Sequence, residues 1–257
     1  ERRHQTEREV SSTPTALMPE QAQNLTALGY VVSTPSRASG RKEIDPKDKL
    51  AVANALHHAI LSTEDGRYEE ALPLLRRVVA SDPDIYIAQL QLGIAYARRK
   101  DYAAALPALQ KALELNPESG IVHEELGLAL YETGDTTLSV EHFEEAVKRM
   151  PRWADAQFSL ASVYARTGRV PEAIQHLKTA LELEPQHYRA NLLLGRILSL
   201  EGDPGSALPN LQEAVKANPQ SREGHLFLAD AYQQLGMAEQ AQKERAAAQR
   251  LPPPVQQ

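Results

Sequence analysis

Residues 86–119 read YIAQLQLGIAYARRKDYAAALPALQKALELNPES, and the register of this stretch recurs through most of the chain. Its Pro117 is one of six prolines spaced 34 residues apart, the others being Pro83, Pro151, Pro185, Pro219 and Pro253. A fixed period of this length marks stacked supersecondary units, not one closed core. With the proline as position 32, the units are 52–85, 86–119, 120–153, 154–187, 188–221 and 222–255. Position 8 is always small (Ala59, Gly93, Gly127, Ala161, Gly195, Ala229), and so is position 20 (Ala71, Ala105, Ser139, Ala173, Ala207, Ala241). Two helices can approach closely only at such residues. Leucine recurs at position 7 (Leu92, Leu126, Leu160, Leu194, Leu228), and position 24 carries Leu75, Leu109, Phe143, Leu177 and Leu211. Alanine holds position 27 from Ala112 to Ala248, completing the three-and-four spacing of amphipathic helices. Position 15 is glycine in five units (Gly66, Gly134, Gly168, Gly202, Gly236), where a left-handed residue ends the first helix. Asp101, Asp135 and Asp203 follow as N-caps of the second helix, which the position 32 proline stops. Each unit is helix, turn, helix.

Leu92, Gly93, Tyr96, Tyr102, Ala105, Leu109, Ala112 and Pro117 stand at the offsets of the tetratricopeptide repeat pattern, and the chain resembles that family over six units. The resemblance implies an all-α fold, a right-handed superhelical solenoid of helix pairs whose first helices line a concave groove. Units of this kind bury their apolar faces on one another and need polar caps at the ends. Within a solenoid spanning 46–257, the run EQAQKERAAAQR at 239–250 reads as the C-terminal cap, with Arg245 at position 24 facing solvent. Unit one departs from the pattern with His58 at position 7, which predicts an outer side incompletely covered or capped by the N-terminal segment. Pro73, Pro107 and Pro209 fall at position 22, inside the second helix, and are expected to face solvent with a mild bend.

The composition agrees with a folded protein. Of 257 residues, 42% are hydrophobic, enough for a large core, and the net charge of −6 has the wrong sign for electrostatic binding to nucleic acid or anionic lipid. No apolar run approaches the ~18 residues of a membrane helix. The absence of cysteine removes disulfides, thiolate metal sites and thiol nucleophiles. The sequence begins at Glu1 without methionine, so a processed form or a fragment is expected and the compartment stays open.

Residues 1–45 form an N-terminal segment ahead of the repeats. A short helix is predicted over Pro19–Leu28, stopped by Gly29, followed by a linker, STPSRASGRKE. The run Leu25 to Val31, followed by Asp45-Pro46-Lys47-Asp48, resembles the C-terminal end of bacterial sulfatase-like hydrolases of the alkaline-phosphatase superfamily that carry appended repeats of this kind. That resemblance implies an alternative role, as the accessory C-terminal domain of a hydrolase whose catalytic part is absent from this chain. Ser33-Thr34-Pro35-Ser36-Arg37 is similar in spelling to the sulfatase nucleophile signature. Its setting argues against catalysis, since residues 1–32 contain no aspartate for a metal and everything from 52 onward is repeat.

No other catalytic or cofactor chemistry emerges. There is no phosphate-binding glycine loop and no nucleophile elbow, so the chain is read as a non-enzyme with no cofactor. The histidines invite a metal reading at His57-His58, at His123 with Glu124, and at His142 with Glu145. However, His142 and His176 share position 23 and His123 and His225 share position 4, so they read as repeat positions.

The resemblance places function in the groove, at positions 2, 5, 9 and 12 of the first helices. The peptide-binding surface it implies runs from Leu56, Ile60, Leu90, Ile94, Leu128 and Tyr131, an apolar N-terminal half, to Phe158, Arg166, Arg189, Leu192, Arg196, Leu226 and Asp230. Such a surface suits an amphipathic helix or extended segment with apolar anchors and an acidic end. The competing reading buries position 5 between neighbouring units. Family members that clamp a terminal carboxylate do so with Lys and Asn at groove positions; here position 9 never holds Asn and position 5 never holds Lys or Arg. The expected partner is a protein or peptide, with residues 16–32 (ALMPEQAQNLTALGYVV) as a candidate occupant in cis at high effective concentration.

Overall fold

The computed structural model describes residues 46–252, which form twelve α-helices and no strand. The first unit contributes α1 (Pro46–Glu64) and α2 (Tyr68–Ser81), and the second α3 (Tyr86–Arg98) and α4 (Tyr102–Leu115). They are followed by α5 (Gly120–Thr133), α6 (Thr136–Arg149), α7 (Ala154–Arg166) and α8 (Val170–Leu183). The last two units supply α9 (Tyr188–Leu200), α10 (Pro204–Ala217), α11 (Arg222–Gln234) and α12 (Ala238–Arg250). The helix expected at Pro19–Leu28, the linker and the proposed cis occupant lie outside the described residues.

The turns follow from their residues. Gly66, Gly134, Gly168, Gly202 and Gly236 all have positive φ, and Lys100 takes the same left-handed conformation at φ 60° in the one unit that lacks the glycine. Asp101, Asp135 and Asp203 cap α4, α6 and α10 by accepting from the backbone N–H groups of Ala104, Leu138 and Ser206. Ser119, His187 and Ser221 do the same for α5, α9 and α11. Pro73, Pro107 and Pro209 lie inside α2, α4 and α10 on their exposed sides, and each helix continues through its proline. The carbonyl each proline leaves without a helical donor is in the first turn, where water can reach it.

Within a unit the small position 8 meets the large position 24. A Cβ added to Gly93 would stand 2.5 Å from Leu109, one on Gly127 2.8 Å from Phe143, and one on Gly195 2.5 Å from Leu211. The side chains of Leu75, Leu109, Leu177 and Leu211 are wholly buried as a result, each contributing about 1.5–3 kcal/mol. Ser139, the one hydroxyl at position 20, is equally buried and donates to the Gly127 carbonyl at 2.8 Å. The core continues along the stack, since one face of α5 packs into the first cluster through Leu126 and Ala129 and another into the next through Leu128 and Tyr131.

Polar contacts stitch successive units together. Gln89, Gln157 and Asn191 at position 4 donate to the carbonyls of Pro83, Pro151 and Pro185, while His123 and His225 place a ring nitrogen against those of Pro117 and Pro219. Tyrosine at position 11 reaches position 25 of the preceding unit in every second unit: Tyr96 to Arg76, Tyr164 to Glu144 and Tyr232 to Gln212. The first helices α3, α5, α7, α9 and α11 contact one another in sequence, whereas among the described residues no contact joins one second helix to the next. The first helices therefore line the inner side of the curve, and the second helices form its outer side.

Candidate functional site

The inner surface divides into two halves of different character. At the N-terminal end, Leu56 and Leu90 are buried in the core, and Ile60 and Ile94 are half-buried against it. Position 5 in these units packs between neighbours, and the apolar stripe read there is largely core. Leu128 and Tyr131 are half-buried and pack against the next cluster. Arg98, exposed at the end of α3, is closed by a bidentate bond to Glu125, 2.7 and 3.1 Å.

The C-terminal half is open. A cavity of about 400 Å³ lies across α7, α9 and α11. Five of the expected groove residues meet there: Phe158, Arg166, Arg189, Leu192 and Arg196. Leu193, Ile197, Leu200 and Phe227 extend its apolar lining, Ser162 adds a hydroxyl, and Glu201 and Glu223 bring acidic side chains. Leu200 is 74% exposed, a large apolar side chain at the lip of the cavity. Leu226 and Asp230 do not line it; Leu226 is exposed, and Asp230 faces Arg245 at 3.3 Å.

Each arginine that lines the cavity rests on a ring from a neighbouring unit. The Arg166 guanidinium lies 4.5 Å from the centre of the Tyr131 ring, Arg189 4.6 Å from Phe158, and Arg196 5.7 Å from Phe227. Stacking of this kind holds the planar cation while leaving the N–H donors at its edge available. Arg189 spends one of them on Asp155 at 2.7 Å, and Asp155 also faces the buried His187 at 3.2 Å. Among the described residues Arg166 and Arg196 have no carboxylate partner.

Glu124, the single acidic residue at position 5, sits beside this half. Burial pushes its carboxyl up to about 7, aided by the negative charges of Glu125 and Asp155 and opposed by a hydrogen bond from Ser159 and by Arg189. Its Oε2 is buried without a hydrogen-bond partner.

Reading the sequence by equivalent positions missed Phe227 and Leu200. Successive units are offset, so position 6 of one unit faces back toward the preceding first helix. Glu125 at position 6 meeting Arg98 and Phe227 at position 6 meeting Arg196 are two instances of that offset. The opposite charges of Arg98 and Glu125 were its signal in the sequence.

Four of the histidines are tied into the stack, whereas His57 and His58 are exposed on α1. His123 and His142 join through their Nδ1 atoms at 2.9 Å, His176 bonds Gln157 at 2.7 Å, and His225 bonds Glu244 at 2.6 Å, each linking position 4 to position 23 of the same unit. Among the described residues no group of three or more His, Cys, Asp or Glu could hold a metal, and no helix is long and apolar enough to cross a membrane.

Tetratricopeptide repeat families match residues 64–120, 124–187 and 198–250, the greater part of the solenoid. The chain belongs to the tetratricopeptide repeat family. These matches begin at residue 64 and give no support to the sulfatase-like resemblance of the N-terminal segment. No curated protein matches the chain. Among solved structures, PilF of Pseudomonas aeruginosa is similar at 17% identity and a TM-score of 0.71, over 79% of this chain and 92% of that one. PilW, a widely conserved type IV pilus biogenesis factor, is similar at 21% and 0.69, over 78% and 93%. YrrB, a repeat protein of this family with an unusual peptide-binding site, is similar at 18% and 0.56, over 70% and 93%. At these identities the shared property is the fold, an all-α repeat solenoid.

Proposed function

We propose that this tetratricopeptide repeat protein is a non-enzymatic interaction scaffold that takes a segment of a partner protein on its inner face, in the half formed by α7, α9 and α11. The observation that carries the reading is the open cavity there, whose apolar lining and fixed polar groups are those of a recognition site. The N-terminal half contributes less, because Leu56 and Leu90 are already engaged in the core. The description of YrrB as peptide-binding supports the same use of this fold.

Affinity capture from a lysate of the source organism, comparing the full chain with Leu200→Glu, tests the reading. Leu200 is largely exposed, so the variant keeps its helical circular dichroism. A partner retained by the parent chain and lost by the variant is the expected result. A partner retained equally by both places recognition elsewhere and overturns it.

A further inference from the structure

Resting on that reading, we infer that the segment bound in the α7–α9–α11 cavity is acidic: it carries side-chain carboxylates that pair with Arg166 and Arg196, flanking an apolar residue that seats on Leu192 and Leu200. The inference starts from what the protein's own charges already do. On the inner face Arg98 is closed by Glu125, Arg189 by Asp155, and Asp230 by Arg245. Arg166 and Arg196 both line the cavity and are left with rings as their partners, Tyr131 and Phe227.

Those rings supply preorganisation. A guanidinium held over an aromatic face has less rotamer freedom to lose on binding, and its planar fork matches a carboxylate better than a lysine ammonium does. Tyr131 belongs to the third unit and Arg166 to the fourth, while Arg196 belongs to the fifth and Phe227 to the sixth, so stacking of the units positions both cations. The acidic groups of the lining are differently placed. Glu201 and Glu223 are exposed, and neither is held by an ion pair among the described residues. The fixed charges of the cavity are positive, although the chain as a whole carries −6. Leu200, which lines the same cavity, is the most exposed large hydrophobic side chain among the described residues.

Residues 16–32, the candidate occupant in cis, carry one acidic residue, Glu20, and so match the apolar requirement without the charge. The charge complementarity favours a separate acidic partner.

The test is selection from a displayed library of random peptides, each about a dozen residues long, against the full chain. Binding of the enriched sequences is then measured by fluorescence anisotropy on the parent, on Arg166→Gln plus Arg196→Gln, on Glu201→Gln plus Glu223→Gln, and on Leu200→Glu. Enriched sequences are expected to combine Asp or Glu with a large apolar residue. They are expected to lose at least about tenfold in affinity on the arginine variant, hold or gain on the glutamate variant, and weaken with added salt. Neutral or basic sequences that depend on Leu200 would overturn the acidic assignment while leaving the cavity as the binding site. Enriched acidic sequences whose affinity is unchanged when their Asp and Glu are replaced by Asn and Gln would also overturn it. Enrichment indifferent to Leu200, or no enrichment, would overturn both this inference and the reading on which it rests.

Discussion

At Gly195 the two helices of the fifth unit approach so closely that a Cβ would stand 2.5 Å from Leu211 and 3.3 Å from the Ala207 carbonyl oxygen. The Leu211 side chain can shift, but the backbone oxygen gives little room. Gly195→Ala is expected to cost about 1–2 kcal/mol in urea unfolding, the overpacking exceeding the gain in helix propensity. The opposite holds at Lys100, whose left-handed backbone favours glycine. Lys100→Gly is expected to stabilise by about 1 kcal/mol in the same assay. Titrating residues pull in two directions. Burial holds His123 and His142 below their ordinary value of 6.5, with Arg149 adding to the effect on His123 and His123 to that on His142. The folded chain therefore binds fewer protons than the unfolded chain just below pH 6.5, and these residues make stability fall as pH drops through that window. Glu124 does the reverse, because its carboxyl is raised from 4.5 to about 7 and the folded chain holds its proton longer. Its contribution is present at low pH and is lost as pH rises toward 7. Glu124→Gln is expected to gain stability over the parent as pH rises from about 5 to 8, the gain growing to on the order of 3 kcal/mol. No such gain in paired urea titrations would refute the assignment.

Between elements, the contacts that set the stack are a mixture of legible and hidden ones. The period of 34 fixed the helix pairs, because proline, glycine and aspartate act through local backbone geometry, and positions 7, 8, 20, 24 and 27 mark the contact of one helix with its partner in the unit. The offset between units left a weaker trace. It depends on how a whole unit rotates against the next, which no single position encodes, and so Leu226 was expected where Phe227 lines the cavity. Arginine at the groove was legible as charge, but its stacking on Tyr131, Phe158 and Phe227 was not. Helix capping carries another link of this kind. Ser221 caps α11 through the Gly224 N–H at 2.9 Å and also bonds the Tyr188 hydroxyl at 2.6 Å, tying the start of the sixth unit to the start of the fifth. Ser221→Ala removes both and is expected to cost about 1–2 kcal/mol, against a smaller loss for Tyr188→Phe, which leaves the cap in place.

For the solenoid as a whole, each unit touches only its neighbours, so stability is close to a sum of units and interfaces. Among the described residues, the end units have one interface fewer. In the first unit His58 and Leu61 are exposed among the described residues, and in the last α12 buries only Ala241 and Ala248 while Arg245 faces solvent. Backbone hydrogen exchange followed by mass spectrometry is expected to be slowest in α5 to α10 and faster toward both ends; uniform protection would contradict the nearest-neighbour account. The same geometry exposes two different surfaces, an inner face with a cavity and an outer face built from second helices. Photo-cross-linking from single positions distinguishes them most directly. A photoreactive amino acid in place of Leu200 is predicted to capture a partner in the source organism's lysate, and one in place of Gln175, exposed on α8 of the outer face, is predicted to capture none. Capture from Gln175 and not from Leu200 would contradict recognition through the inner face.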